Sequence, residues 1–252
     1  MPGGHRSSSE VRALTMSPIW IGTSGFSYRE WKPLFYPHDV SDKGFLSYYV
    51  TRLNAVEIDS TFYRIPSPKT VAAWYASTPE TFRFGIKAPQ RITHFERLAT
   101  PSEANAFFLR TLEPLGSRLG MVLYQLPPNA RADFDKLSRF LDSLPASLPC
   151  AFEFRHPSWF ASDVYAVLRQ RGVGLCIHDH DDGPPVLEIT GPRTYVRLRR
   201  EQYDSVARMR WQSVMQQWAS SGTEVFAFIK HKDNPRAPLI ALEFAEGLAK
   251  SG

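Results

Sequence analysis

The sequence predicts a single α/β barrel of the (β/α)8 type. Eight short apolar segments alternate with segments of helical spacing, and no linker or change of composition divides them. No glycine-rich phosphate-loop or dinucleotide-binding pattern follows any of these segments, which disfavours the alternative of a doubly wound open sheet. We therefore expect one domain over residues 18–252. Residues 1–17 are expected to be a disordered tail, or sequence upstream of a start at Met16.

The predicted strands are short, and helical segments separate most of them. After the first strand comes a long aromatic loop, FSYREWKPLFYPHDV, instead of an immediate helix. After the sixth strand comes GPPVLEITGP, which is too short and too rich in proline for a full helix, so an irregular or missing helix is expected there. The predicted strands are Ile19–Gly25, Ala55–Tyr63, Arg83–Pro89, Gly120–Pro128, the start of Cys150–Phe160, Gly174–Asp182, Thr194–Arg200 and Thr223–Lys232.

The fifth strand, in CAFEFRHPSWF, carries charge on one of its two faces. Side chains alternate with period two along a strand, so Phe152 and Phe154 share one face while Glu153 and Arg155 share the other. In an α/β barrel the aromatic face packs under the helices, and the charged face then points into the barrel and its mouth. Buried charges are costly unless they are paired or used, so this strand predicts either an ion-pair network or a site.

The same alternation places further polar residues at the carboxyl ends of the other strands, which form the working face of such barrels. His178 and Asp179 lie on opposite faces of their strand, so only one of them points inward, and the same holds for Lys230 and His231. The candidate site residues at this face are Ser24, Glu57, Asp59, Lys87, Gln125, Glu153, Arg155, Asp179, Arg197 and Arg199.

The arginine excess in this set favours an anionic ligand, with phosphate as the leading candidate, because guanidinium groups bind phosphate through paired hydrogen bonds. Glu57, Glu153 and Asp59 are the candidate catalytic acids or bases, which is compatible with a hydrolase or an isomerase. A purely structural salt-bridge network is the alternative. A divalent metal held by Glu57, Asp59, Asp179 and a histidine is weakly supported, because no metal-binding motif is present beyond His178 and His180.

Aromatic residues and a histidine surround the predicted mouth. His94, Tyr63 and Trp159 are candidate ligand-binding residues there, and Tyr63 and Trp159 belong to a set with Trp31, Tyr36 and Phe62 that could stack nucleic-acid bases. The alternative for the aromatic residues is a hydrophobic lid. A non-catalytic nucleic-acid-binding protein is therefore a second functional hypothesis, and salt dependence of binding would separate it from binding of a small molecule.

The amino-acid composition restricts the classes of function and location that fit this sequence. The formal net charge of +5 permits an anionic partner without requiring one, and the basic residues are dispersed rather than gathered in a tail. Cys150 and Cys176 fall in predicted strands without metal-binding spacing, so buried reduced thiols are expected. No apolar run is long enough to span a membrane and no signal peptide is evident, which predicts a cytoplasmic protein without a membrane partner.

Several ordered motifs resemble one known family. TSGFSYREWK, VEIDSTFYRIPS, FRFGIKAP with ITH, LGMVLYQLPP, FEFRHPSW and YVRLR are together similar to the YecE-like family, catalogued as domain of unknown function 72. The resemblance covers roughly residues 19–232 and implies a TIM barrel. At the matching positions it implies site residues among Glu57, Asp59, Lys87, Gln125, Glu153, Arg155, Asp179 and Arg197.

Two positions depart from the pattern of that family. Arg199 and Arg200 stand where the family usually has His-Gly, and Lys230 and His231 stand where it usually has Asn-Asn. Both departures add charge at the expected mouth, so the ligand of this chain is expected to differ in detail. The resemblance also suggests a likeness to metal-dependent endonuclease barrels, which concerns the fold and is weak evidence of function.

Overall fold

The computed structural model describes residues 16–230 and 234–250, and it confirms the closed barrel. Eight parallel strands pair in sequential order, and β8 closes the sheet against β1. Each strand is four to seven residues long. The strands are β1 (Ile19–Ser24), β2 (Ala55–Ile58), β3 (Arg83–Lys87), β4 (Leu119–Gln125), β5 (Cys150–Glu153), β6 (Gly174–Asp179), β7 (Arg193–Leu198) and β8 (Glu224–Ile229).

The helices form the outer layer. Side-chain oxygens of Ser67, Ser102, Asp133 and Asp204 accept a backbone N–H in the first turn of their helices, which fixes where these helices begin. In the described residues the α-helices are α1 (Phe45–Tyr49), α2 (Pro68–Ala76), α3 (Glu103–Leu112), α4 (Phe134–Ser143), α5 (Ser162–Gln170), α6 (Ser205–Ser220) and α7 (Ala237–Lys250).

The chain between β6 and β7 forms no helix, as the sequence predicts. Residues 180–192, all of them described, instead make an irregular loop with one isolated bridge between His180 and Gly183. Thr190 ties the loop down, because its hydroxyl donates to Val173 O and accepts from Leu175 N, both at 2.7 Å. The loop after β1 packs onto the barrel through aromatic rings, of which Tyr36 stacks on Phe45 at 4.2 Å.

Large side chains fill the lower part of the barrel interior. Phe226 and Trp20 stack at 6.1 Å, and the residues opposite them are small. A Cβ atom at Gly120 would lie 2.4 Å from the Phe226 ring, and one at Gly85 would lie 2.6 Å from Tyr195 Oη. These glycines therefore make room for rings that close the floor, and polar residues are left to occupy the mouth.

Several strands end earlier than the sequence predicts. The second strand stops at Ile58 because Thr61 Oγ1 donates to Ile58 O and to Lys87 O, which closes a 3₁₀ turn over Ser60–Phe62. The fifth strand stops at Glu153, so Arg155 lies beyond it in the loop. Loops therefore carry candidate residues that the sequence places at strand ends. The alternation of side chains along a strand does not predict the geometry of a loop.

The termini of the predicted domain are only partly described. Residues 1–15 of the predicted tail lie outside the described residues, as does His231. Ser17, at the end of the predicted tail, is already attached to the barrel, since its N–H donates to Ala219 O at 3.0 Å. Cys150 and Cys176 are free and buried. The described helices include none with the length and hydropathy needed to cross a membrane.

Candidate functional site

Two buried glutamates face each other across the mouth of the barrel, and one arginine lies between them. Glu57 is the penultimate residue of β2 and Glu153 is the last residue of β5, and both side chains are fully buried on the inner face. Arg197 of β7 donates from Nη2 to Glu57 Oε1 at 2.9 Å and from Nη1 to Glu153 Oε2 at 2.7 Å. Side chains alternate between the two faces of each strand, and all three residues fall on the inner face. β2, β5 and β7 therefore contribute to one ion-pair network.

Two further arginines complete what we call the central cluster, namely Glu57, Glu153, Arg155, Arg197 and Arg199. Arg199 Nη2 donates to Glu57 Oε1 at 2.7 Å. Arg155 Nε donates to Glu153 Oε1 at 2.5 Å, and its side chain is 31% exposed, against 10% for Arg199. Arg155 is consequently the arginine of this cluster that is most accessible from the solvent.

Uncharged donors fix the orientation of Glu57. Ser24 Oγ, at the end of β1, donates to its Oε1 at 2.6 Å, and Tyr195 Oη donates to its Oε2 at 2.9 Å. Gln125 contacts the central arginine instead of a glutamate: its Oε1 accepts a hydrogen bond from Arg197 Nη1 at 3.4 Å. Both oxygens of Glu57 are therefore occupied by protein donors, which fixes the carboxylate in one position.

Both glutamates are ionised at neutral pH. Burial by itself would raise the pKa of Glu57, but Arg197 and Arg199 outweigh it and hold that pKa far below its usual range. Burial is likewise outweighed at Glu153, whose pKa is lowered by Arg197 and Arg155. A carboxylate held ionised in this way is a poor general acid, and it serves to hold and orient the arginines.

Lys87 adds a positive charge to the mouth without adding a counter-ion. It ends β3, and its Nζ lies 4.0 Å from the centroid of the Phe62 ring. No carboxylate of the described residues lies within ion-pair distance of it. Burial, and the charge of Arg197 in second place, lower the pKa of Lys87 to about 8. The central cluster together with Lys87 thus has four basic side chains and two carboxylates.

A cavity of about 400 Å³ opens beside this cluster, between the ends of β5 and β6 and the loop that follows β6. Arg155, His178, His180 and Asp182 supply its polar lining, and proline and aromatic residues supply the rest. His178 Nε2 is buried, has no hydrogen-bond partner among the described residues, and lies 3.7 Å from Glu153 Oε1. Burial lowers the pKa of His178 to about 3, so its ring is neutral.

Aromatic residues form a rim on the side of Lys87. His94 lies in a π-helical turn over Arg91–Phe95, and its ring meets the edge of Phe62 at 4.9 Å. Burial, together with Lys87 and Arg155, lowers the pKa of His94. Tyr63 is next to Phe62 and is 77% exposed. The structure therefore brings His94 and Tyr63 to the mouth, as the sequence predicts.

Asp179 lies apart from the central cluster, and His178 takes the inward position instead. Asp179 points to the outer face of β6, where its Oδ1 accepts from Arg200 Nε at 2.8 Å. Its Oδ2 accepts from Tyr203 Oη at 2.9 Å and from Trp211 Nε1 at 3.0 Å. The expectation that Asp179 faces the mouth is wrong, because α6 and the loop before it supply polar partners on the side that was expected to be apolar.

Trp159 is also placed away from the mouth. Its ring stacks on Phe154 at 4.4 Å, with an angle of 4° between the planes, and its Nε1 donates to Ala130 O at 2.7 Å. Trp31 and Tyr36 are buried as well, within the loop that follows β1. These three rings belong to the hydrophobic layer, which was the alternative interpretation of the aromatic set.

Asp59 lies at the mouth but outside the ion-pair network. It follows β2 directly, is partly buried and makes no ion pair with the described residues. Tyr28, from the loop after β1, is close to it: burial raises the pKa of the Tyr28 hydroxyl, and Asp59 raises it further. Asp59 is thus the carboxylate of the predicted catalytic set that remains without a cationic partner.

Tyr195 and Tyr28 belong to the site but are missing from the set that the sequence suggests. Tyr195 shares the inner face of β7 with Arg197, so the alternation that selects Arg197 also selects Tyr195. Tyr28 reaches the site from a loop, since its hydroxyl lies 3.3 Å from Ser24 O, and no periodicity signals this contact.

The described residues contain no group of three His, Cys, Asp or Glu side chains placed to hold a metal ion. The rings of His178 and His180 do lie close, with centroids 4.0 Å apart. A third ligand is missing from this pair, because the nearby Glu153 is already bound by Arg155 and Arg197. The carboxylates of the central cluster are thus engaged with arginines in the described residues.

The departures from the family pattern have separate structural roles. Arg199 pairs with Glu57 in the central cluster, whereas Arg200 pairs with Asp179 on the outer face. Lys230 lines a second cavity, of about 790 Å³, with Arg200, Arg208 and Arg236. Of the three departing residues that the structure describes, Arg199 is the one that adds charge directly to the central cluster.

Comparison with known proteins places the chain in one family. The family model described as "Protein of unknown function DUF72" matches residues 20–252. The UPF0759 protein YecE of Escherichia coli K12 is 33% identical over 167 residues, and UPF0759 protein YunF of Bacillus subtilis is 32% identical over 155 residues. These alignments cover 64% and 58% of this chain and 59% and 54% of the relatives, so the chain spans less than two thirds of the relatives' length.

Solved structures show the same fold. A crystal structure of a DUF72 family protein from Thermotoga maritima superposes with a TM-score of 0.82 at 26% identity, over 92% of this chain and 99% of the other. A DUF72 family protein from Enterococcus faecalis gives a TM-score of 0.73 at 20% identity, over 94% and 99%, which bears on the fold alone. The family match over residues 20–252 and the shared barrel lead to one conclusion, that this chain belongs to the DUF72 family.

Proposed function

We propose that this protein binds a phosphate-bearing anion at the carboxyl-end mouth of the barrel. The observation that carries the proposal is the excess of positive charge there: four basic side chains outnumber three carboxylates. The basic residues are Arg155, Arg197, Arg199 and Lys87, and the acidic residues are Glu57, Glu153 and Asp59. The terminal nitrogens of Arg155 have no acceptor among the described residues, and its side chain is partly exposed. Guanidinium groups with free N–H donors favour phosphate oxygens.

A purely structural network explains only part of this arrangement. Glu153 lies between Arg155 and Arg197, so these two arginines do not require a ligand to relieve their repulsion. The network nevertheless leaves Lys87 and one guanidinium charge uncompensated. Because uncompensated charge is unfavourable in a partly buried site, an anion bound at the mouth would stabilise the folded protein.

The roles of the acidic residues follow from their partners. We assign Glu57 and Glu153 the holding of the arginines, because both are kept ionised by ion pairs. Asp59 is the carboxylate left for acid–base chemistry, together with the neutral His94. With these roles, Asp59 and His94 are the groups that would act if the protein turns over a phosphate ester as a hydrolase or an isomerase. A cytoplasmic metabolite is the ligand class that we propose.

The test is thermal unfolding of the whole protein with and without inorganic phosphate or sulfate. A ligand present at about 100 times its Kd stabilises the folded state by about 2.7 kcal/mol, and we expect a clear rise of Tm. Arg155→Met should lose this rise. Without phosphate it should lower the free energy of unfolding by less than about 1 kcal/mol, because Arg197 still holds Glu153.

Arg139→Met is the matched control, since Arg139 is an exposed arginine on the outer helix α4. It should keep the full response to phosphate. An unchanged Tm of the parent protein in phosphate, with a large loss of Tm in Arg155→Met, would establish the salt-bridge network as the whole explanation.

A nucleic acid is the second candidate ligand, because two large aromatic side chains beside the mouth are exposed. Tyr63 is 77% and Phe95 is 74% exposed, and both belong to the turns that carry Phe62 and His94. Exposed rings beside basic groups suit stacking of bases. Affinity for single-stranded DNA that falls steeply between low and moderate salt would favour this candidate, whereas binding of a small phosphate ester should depend far less on salt.

A further inference from the structure

Lys87 differs from the arginines around it in having no carboxylate partner among the described residues. The three arginines of the central cluster each contact Glu57 or Glu153, whereas the ring of Phe62 covers the Lys87 amine at 4.0 Å. Lys87 ends a strand at the mouth, on the side where His94 and the rim turn lie. An amine in this position has no ion pair to break before it reacts.

The surroundings also favour the uncharged form of the amine. Burial, and then the charge of Arg197, lower the pKa of Lys87 to about 8, so roughly a tenth of it is free amine at pH 7. An ordinary surface lysine is almost wholly protonated at that pH and is therefore unreactive towards carbonyl groups. Lysines desolvated beside other cations are the ones that form Schiff bases in enzymes.

We propose that Lys87 forms an imine with an aldehyde or ketone group of the same ligand whose phosphate is held by Arg155 and Arg199. The inference rests on the proposed function, because the arginines supply the phosphate contact that would bring the carbonyl to the amine. A sugar phosphate or a keto-acid phosphate ester has both groups within one small molecule. Lys87 then reacts with the ligand rather than acting as one more cationic contact.

The chemistry balances without an added oxidant or reductant. The nitrogen lone pair of the neutral amine attacks the carbonyl carbon, and a C–N bond forms as the C–O π bond breaks. One N–H proton passes to the oxygen and gives a neutral carbinolamine. Its remaining C–O bond then breaks as the nitrogen lone pair forms the C=N π bond, and the hydroxyl leaves as water with the last N–H proton. His94, neutral and in edge contact with the Phe62 ring that covers Lys87, is the nearby group suited to moving these protons.

The test uses pyridoxal 5′-phosphate and dihydroxyacetone phosphate as probes, with sodium borohydride to reduce any imine to a stable secondary amine. Peptide mass spectrometry then locates the label. We expect at least about 10-fold more label on Lys87 than on Lys69, an exposed lysine at the start of α2, and competition by inorganic phosphate. Pyridoxal without phosphate should label Lys87 much less than its phosphate ester does.

Two variants separate this inference from the proposed function. Lys87→Arg keeps the positive charge but removes the reactive amine, so it should retain the rise of Tm in phosphate and lose the label. Lys69→Met should keep both responses.

If phosphate stabilises the parent protein but neither probe labels Lys87 above the exposed lysines, the imine is ruled out and anion binding stands. If phosphate has no effect on the parent protein, anion binding itself fails. Label on Lys87 that inorganic phosphate does not reduce would overturn the link between the amine and the arginines.

Discussion

Two buried carboxylate clusters lie at the same end of the barrel, and they differ in their balance of charge. On the outer face Asp179 accepts hydrogen bonds from Arg200, Tyr203 and Trp211, so one carboxylate meets one arginine and two neutral donors. On the inner face two glutamates meet three arginines, with Lys87 close by. The outer cluster is complete within the protein. The inner cluster holds more cationic groups than carboxylates, and the proposed anion would balance this surplus.

Removing Arg197 should have the largest effect, because this arginine joins both glutamates. Arg197→Met leaves Glu57 with Arg199 alone and Glu153 with Arg155 alone, in a buried site. We expect the free energy of unfolding to fall by about 3–5 kcal/mol, measured by urea denaturation. Arg139→Met is the control and should change it by less than about 0.5 kcal/mol. A loss as small as that of the control would show that the inner cluster does not stabilise the fold.

The outer cluster should respond to mutation with a smaller loss of stability and with no change in ligand binding. Asp179→Asn keeps an oxygen acceptor but removes the charge that pairs with Arg200, and it points an amide group at the donors Tyr203 and Trp211. We expect a loss of about 1–3 kcal/mol in the free energy of unfolding. The rise of Tm in phosphate should persist, and its disappearance would contradict the separation of the two clusters.

Lys87 gives the smallest expected effect and a characteristic pH dependence. Its pKa is lowered to about 8 in the folded protein, so between about pH 8 and pH 10 the unfolded chain binds more protons and stability rises with pH. Lys87→Met should remove this rise and should stabilise the protein at pH 7, by about 1–2 kcal/mol.

The measurement is urea denaturation at pH 7 and at pH 9.5, with Lys69→Met as the matched control that should follow the parent protein. If Lys87→Met were instead destabilising at pH 7, Lys87 would have an anionic partner within the protein.

The sequence predicts the barrel and half of the site because both depend on period-two alternation. Phe152 and Phe154 indicate the outward face of β5, so Glu153 is correctly placed inside, and the same argument places Glu57 and Arg197. Tyr195 follows from the same pattern as Arg197. Alternation is reliable here because one face of each strand packs against helices rich in apolar side chains.

Prediction fails where the outer face is polar or where a loop carries the residue. Asp179 breaks the pattern, because Arg200 and Tyr203 come from a loop whose path the sequence does not specify. Trp159 belongs to a 3₁₀ turn that folds it onto Phe154 rather than over the mouth. Asp59 lies past the end of a strand that was expected to continue to Tyr63.

The pairing of Glu57 with Arg197 also has a consequence for how the chain assembles. The two residues are 140 positions apart, and among the described residues that precede Glu57 in sequence, Ser24 is the one whose side chain donates a hydrogen bond to its carboxylate. During synthesis the glutamate emerges long before the cations that neutralise it. A half-barrel containing only β1–β4 would therefore carry a carboxylate without its arginine partners on the inner face. The last strands complete the charge pairing of Glu57 as well as the sheet.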